Sequence, residues 1–267
     1  MLHTLPAVSG PGDAVRDILV ATPPGYATDT ARRYPVIYLQ DGQNLFDPDT
    51  SFAGHWSLLE TLELHGSTHP AIIVGIPNLG PDRLKEYSPF DDAVRGIGEG
   101  VGYLRWLVDT VKPLVDDTFR TKPGREHTTV GGSSMGGLFA LYALLGAAAT
   151  FSAAWVLSPA LWYADGAIFR WLRRQPAPVG RIYLDVGLLE GDDTVFDVRR
   201  MHDLLLDRGW TLGGTFRYVE DPNGDHDESS WGRRLHKSWP QLVDVAEPRP
   251  PVPSIREGIG RGDVRKD

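Results

Sequence analysis

Ser134 stands in the run Gly132-Ser133-Ser134-Met135-Gly136-Gly137, and one frame of it fits Gly-x-Ser-x-Gly. Centring the pattern on Ser133 would put Met135 where the second glycine is required. The spelling has a physical reason. A serine at the tip of a sharp strand-to-helix turn lies in strained backbone, and glycines two residues before and after let strand and helix approach closely. The hydroxyl is then exposed above the positive end of the following helix. Thr128–Val130 reads as a short strand, and Leu138, Leu141, Tyr142 and Leu145 fall at helical spacing directly after the turn. Ser134 is therefore read as a nucleophile.

A serine hydroxyl attacks poorly unless a base takes its proton, and the base needs an acid to orient it. On such a turn the chain order is Ser, acid, His, each on a loop after a later strand. Of eight histidines, His202, His226 and His236 follow Ser134. His202 and His236 lie inside helical patterns and read as surface residues. His226 sits in Asp221-Pro222-Asn223-Gly224-Asp225-His226-Asp227, just past the last predicted strand, where a base should hang. The acid belongs after the strand Arg181–Val186, in Gly187-Leu188-Leu189-Glu190-Gly191-Asp192-Asp193. Three carboxylates compete there. Glu190 is preferred, Asp192 is the main alternative, and Asp193 is also read as a helix cap. Asp185, within the strand, is read as structural.

The oxyanion formed during acyl transfer needs two aimed N–H groups. Met135, next to the nucleophile, supplies one; Gln43, in the loop Gln40-Asp41-Gly42-Gln43-Asn44, is the best candidate for the other. Asp41 either braces this loop or touches substrate.

The elements that must position these groups alternate between strand and helix patterns, which implies an α/β fold with a mostly parallel central sheet flanked by helices. The predicted strands are Asp17–Thr22, Val36–Gln40, Ala71–Ile76, Thr128–Val130, Ala153–Leu157, Arg181–Val186 and Thr215–Glu220. Helices are expected over Tyr103–Val115, Val195–Arg208 and about Glu228–Leu242, the last disturbed near Pro240. Residues 1–246 read as one domain, and the Pro-rich, charged stretch 247–267 reads as a flexible tail.

Bulk properties narrow the function. A net charge of −8 and no basic run argue against nucleic-acid binding. The absence of cysteine excludes disulfides and thiolate catalysis. No 18-residue apolar run and no leader pattern stand out, so no membrane partner is expected and a cytoplasmic protein is.

The chain resembles the esterase D and enterochelin-esterase-like branch of the α/β-hydrolases. The resemblance rests on Thr22-Pro23-Pro24-Gly25-Tyr26, Gln40-Asp41-Gly42-Gln43-Asn44-Leu45-Phe46-Asp47, Glu86-Tyr87-Ser88-Pro89, the Ser134 motif, Ser158-Pro159-Ala160-Leu161-Trp162, Tyr183–Glu190, and Gly224-Asp225-His226 with Trp231. It implies an α/β-hydrolase fold, Ser134 as nucleophile, Glu190 as acid, His226 as base, and backbone donors at Gln43 and Met135. It also implies a carboxylesterase acting on a small-molecule ester without cofactor or metal. A siderophore, feruloyl or acetyl-xylan esterase and a mycolyl-type acyltransferase are the alternatives. Asp41, Trp162 and Trp231 are candidate substrate contacts, with Trp56 beside them. Arg83 and Lys85 read as solvated loop charges, and a metal site built from Asp221, Asp225 and Asp227 is disfavoured by spacing.

Overall fold

A computed structural model describes residues 1–12, 14–52, 54–176 and 178–243. The expected flexibility of 247–267, and the domain boundary at 246, lie outside the described residues.

Eight strands form one sheet: β1 (Leu2–Ser9), β2 (Val15–Ala21), β3 (Val36–Gln40), β4 (Ile72–Ile76), β5 (Thr128–Ser133), β6 (Ala153–Leu157), β7 (Arg181–Gly187) and β8 (Phe216–Asp221). Their spatial order is β1-β2-β4-β3-β5-β6-β7-β8, antiparallel across β1-β2-β4 and parallel from β4 onward. From β3 the chain moves first to β4 on one side and later to β5 on the other. Sheets of this kind open a crevice at the carboxyl ends of the strands where the order reverses.

The helices are α1 (Leu58–His65), α2 (Arg83–Tyr87), α3 (Gly100–Trp106), α4 (Lys112–Thr118), α5 (Met135–Gly146), α6 (Tyr163–Leu172), α7 (Asp192–Asp207) and α8 (Glu228–Val243). Strand side chains alternate between the sheet's faces. Val36, Tyr38, Ala154 and Val156 join a core with α5 and α7, whereas Ile37, Leu39, Trp155 and Leu157 join a second core with α1 and α8. On α8 the buried apolar residues Trp231, Leu235, Trp239 and Val243 repeat every four residues, one stripe of a helix. Each such burial contributes roughly 1.5–3 kcal/mol. α5 is buried nearly all round, because it lies directly under the sheet's middle strands.

Several predicted bounds shift for identifiable reasons. β1 escapes the sequence pattern because Pro6 interrupts it; β1 is an edge strand whose register shifts between Leu5 and Val8, a place where proline is tolerated. The single helix expected over Tyr103–Val115 is helical from Gly100 to Thr118, with a π-helical turn at Leu107–Val111. Pro113 lacks the N–H that would close the preceding α-turn. Pro240, expected to disturb the last helix, lies inside α8, which continues to Val243.

Candidate active site

Every predicted site segment follows the carboxyl end of a parallel strand. Asp41–Asn44 follows β3, Ser134 follows β5, Ser158 follows β6, Glu190 follows β7 and His226 follows β8. Ser134 has φ 55° and ψ −118°, backbone that an L-residue adopts only under strain. The flanking glycines make it feasible. A Cβ on Gly132 would lie 2.8 Å from the Gly136 carbonyl carbon, and a Cβ on Gly136 would lie 2.9 Å from Cβ of Gln40. The Ser134 N–H donates to Leu157 O at 3.0 Å and Ser134 O accepts from Ala160 N at 2.9 Å, so β6 holds the turn.

Ser134, His226 and Glu190 come together. Ser134 Oγ stands 3.0 Å from His226 Nε2, and His226 Nδ1 stands 2.7 Å from Glu190 Oε2. The imidazole side chain is 40% exposed while the Glu190 side chain is fully buried, so one partner faces the cleft and the other faces the scaffold. The loops that carry them touch through backbone: Leu189 N donates to Gly224 O at 3.0 Å, and a Cβ on Gly187 would lie 2.2 Å from that oxygen. Asp192 and Asp193 instead occupy the exposed first turn of α7. Asp193 does not cap that helix; the N-cap is Gly191, with no side-chain cap bond.

Behind Glu190 lies a buried polar network that the sequence reading did not assign. Glu190 Oε1 accepts from Ser158 Oγ at 2.5 Å and from Gly187 N at 2.7 Å, with Arg234 Nη2 at 3.4 Å. Arg234 also pairs with Asp185, whose Oδ2 accepts from Tyr183 Oη at 2.8 Å. Burial pushes the Asp185 carboxyl up, and the Arg234 charge opposes that. Burial opposes the charge of Arg234 too, but Asp185 more than offsets it and raises its pKa. Asp185 is structural, as expected. A sequence signal for Arg234 exists: it is a charged residue three positions after Trp231, on the buried side of α8.

The segment expected to supply an oxyanion donor is equally braced. Asp41, at φ 58°, receives Arg83 Nε and Nη2 on its two oxygens at 2.7 and 2.8 Å and Asn78 Nδ2 at 2.7 Å. Arg83 is thus an ion-pair partner and not the solvated loop charge expected; its pairing with Asp41 outweighs the cost of burial and lifts its pKa. Lys85 lies beside Asp82 at 3.6 Å and is 45% exposed, a solvated charge as expected, but on α2 and not on a loop. Gln43 is the second residue of a 3₁₀ turn and Met135 the first residue of α5, positions whose N–H groups have no acceptor within their own turn. Asn78 N donates to Gln43 Oε1 at 3.2 Å, tying this loop to the next.

A cleft of about 480 Å³ opens above Ser134, lined among others by Gln43, Phe52, Arg83, His226, Glu228 and Trp231. That size suits a small organic ligand. Trp231 packs edge-on to His226 at 4.9 Å and 84°. Asp41 also reaches the cleft, but its carboxylate is committed to Arg83 and Asn78. Trp162 does not join this cleft. It is 49% exposed and lines a separate hollow with Leu161 and Asp197. Trp56 is buried behind Trp231, with ring centroids 6.3 Å apart. Glu228 is buried in the cleft wall and accepts from Asn44 Nδ2 at 3.0 Å. Burial and the nearby Asp41 and Asp227 charges raise its pKa.

The carboxylates around His226 serve the loop. Asp221 pairs with Arg233 at 2.9 Å, Asp225 accepts from the His226 N–H, and Asp227 accepts from Ser230 N. Among the described residues no group of three His, Cys, Asp or Glu side chains is placed to hold a metal ion, and no helix is long and apolar enough to cross a membrane.

A strained serine at a strand-to-helix elbow, beneath a histidine on a late loop of this sheet, defines the α/β-hydrolase class. A family model described as "Putative esterase" matches residues 13–242, and the chain belongs to that esterase family. It is 25% identical over 202 residues to the "Uncharacterized protein YbbA" of Bacillus subtilis (strain 168), covering 71% of this chain and 77% of that one. Among solved structures it resembles the siderophore hydrolase EstA from Aspergillus nidulans, with TM-score 0.71, 22% identity and coverage of 92% and 95% of the two chains. It also resembles an IroE-like serine hydrolase from Shewanella oneidensis, with TM-score 0.70, 21% identity and coverage of 89% and 80%. These likenesses show the fold.

Proposed function

We propose that this esterase is a serine carboxylesterase that works through an acyl-enzyme, with Ser134 as nucleophile, His226 as base and Glu190 as the acid that orients it. The observation that carries the reading is the continuous chain of contacts from Ser134 Oγ to His226 to Glu190, at 3.0 and 2.7 Å.

The steps follow from these positions. His226 Nε2 takes the Ser134 proton as Oγ attacks the ester carbonyl, and the oxygen that becomes negative is held by the N–H groups of Gln43 and Met135. Collapse of this intermediate breaks the bond to the alcohol, which leaves with the proton from His226. Water then attacks the acyl-enzyme, with His226 again as base, and releases the carboxylic acid and free Ser134. Glu190 holds Nδ1–H, so that Nε2 is the nitrogen left to accept a proton.

The substrate is a small ester that fits between the Phe52 and Trp231 walls. Siderophore-type esters are a second reading, favoured by the polar wall of Gln43, Asn44, Asn78 and Arg83. Labelling with a fluorophosphonate probe followed by peptide mapping tests the nucleophile; modification at any residue other than Ser134 refutes it. A panel of p-nitrophenyl esters of graded acyl length, a feruloyl ester, and a catecholate trilactone ranks the substrates. Product analysis with trehalose present distinguishes transfer of the acyl group from hydrolysis.

A further inference from the structure

Ser158 is fully buried, directly after β6, and holds φ 40° in the left-handed region. Its backbone N–H lies 3.1 Å from Asp185 O and 3.2 Å from Asp185 Oδ1, which fixes the residue to the neighbouring strand. A hydroxyl carries one proton to donate and two lone pairs to accept with. All three are used here. Trp231 Nε1 stands 3.0 Å away, Arg234 Nη2 2.6 Å away and Glu190 Oε1 2.5 Å away. Indole and guanidinium nitrogens only donate, so the Ser158 proton has one destination, the Glu190 carboxylate.

We propose that Ser158 is a positioning residue for the reaction, whose hydroxyl fixes two neighbours of the His226 imidazole, Glu190 and Trp231. The inference rests on the triad reading above. On one side it anchors Glu190 Oε1, together with the Gly187 N–H, and leaves Oε2 free to face His226 Nδ1. On the other it holds the indole of Trp231, which packs edge-on to the same imidazole. Hydrogen bonds donated to a carboxylate favour its charged form. By donating to Glu190 Oε1, Ser158 tempers the pull of that carboxylate on the imidazole proton. Arg234 delivers a positive charge to the same hub without touching His226, so the ion pair acts on the imidazole through Ser158 and Glu190.

The test uses the full chain carrying Ser158→Gly or Ser158→Ala, with Glu190→Gln alongside. Glycine accepts the positive φ without strain, so Ser158→Gly removes the hydroxyl at the least backbone cost; alanine retains the strain. Thermal melting, kcat, KM and the pH profile of kcat/KM on a short p-nitrophenyl ester are measured for each. The expected result is a fall in kcat of about 10–100-fold, the usual range for removing a partner that orients a working side chain, with KM within about twofold. The pH at half-maximal kcat/KM moves upward, because a carboxylate with fewer donors holds the imidazole proton more tightly. Both variants should show the same kinetic loss although their melting temperatures differ. A folded Ser158→Gly or Ser158→Ala protein with wild-type kcat and pH profile overturns the inference, as does a kcat that falls in step with melting temperature while the profile stays put. If Glu190→Gln is crippled and Ser158→Gly is not, the positioning role alone fails. Should Glu190→Gln keep full activity, the triad reading fails and takes this inference with it.

Discussion

Arg83 grips Asp41 by two parallel hydrogen bonds, Nε to Oδ1 and Nη2 to Oδ2, at 2.7 and 2.8 Å across 42 residues of sequence. The paired carboxylate sits two residues before Gln43 and also accepts from Asn78 Nδ2, while the Asp41 backbone N–H donates to the Tyr87 hydroxyl. Asp41→Ala removes the pair and leaves a guanidinium without its partner. The variant should lose roughly 1–3 kcal/mol of stability, the range for leaving a largely buried polar partner unsatisfied. It should also lose kcat, because the Gln43 N–H is no longer held in place. Denaturant melts together with steady-state kinetics check both; unchanged kcat in a folded variant would show that this brace does not set the oxyanion donor.

The proposed acid role of Glu190 rests on its contact with His226. Glu190→Gln keeps the shape of the side chain but replaces an acceptor oxygen or reverses the amide, so the imidazole loses its fixed tautomer. A drop on the order of 10⁴ in kcat is expected. Asp192→Asn, on the exposed first turn of α7, should leave kcat within about twofold. Reversal of the two results would move the acid to Asp192.

Gly132→Ala is predicted to be costly. The added methyl would sit 2.8 Å from backbone of Gly136, where no rotamer change can make room. Overpacking of this kind costs about 1–3 kcal/mol, and here it also spreads the turn that presents Ser134. The variant should melt earlier and react more slowly with the fluorophosphonate.

Much of this was legible in the chain and some was not. Val36–Gln40 and Ala153–Leu157 have their observed strand bounds because both are continuous apolar runs, buried on both faces. The loop bearing Glu190 was findable because it follows the buried β7, and the loop bearing His226 because it follows the last strand pattern, although β8 is mostly polar and only partly buried. Trp162 misled for a physical reason: proximity to Ser134 in the fold order says nothing of direction, and the chain turns at Ala160 so that the indole faces α7 instead. α1, α2 and α6 are short, and α6 passes through left-handed backbone at Ala164–Gly166, which blurs its periodicity. Ser158 stands in a block that carried the resemblance and Arg234 on the buried side of α8, but neither position revealed a role beside Glu190. Their importance comes from contacts 76 residues apart in sequence.

One surface pair has a pH signature. Glu220 accepts Arg199 through both oxygens at 2.8 Å and the Tyr218 hydroxyl at 2.7 Å. Bonding to Arg199 lowers its pKa to about 2, against burial. A depressed folded value means stabilisation that is complete above the ordinary carboxylate value of 4.5 and fades as pH falls toward about 2. Both side chains are partly exposed, so solvent screening keeps the pair's contribution small. The melting-temperature gap between wild type and Glu220→Gln should be largest near neutrality and close across that acid window. A gap that widens on acidification contradicts the sign.

Because Gly187 and Gly224 leave no space between the two segments that bear the acid and the base, neither segment can lengthen inward without prising Glu190 from His226. Room to reshape the cleft lies instead with other lining residues such as Phe52 and Gly80, where a longer or shorter excursion would alter what fits without entering the Gly187–Gly224 contact.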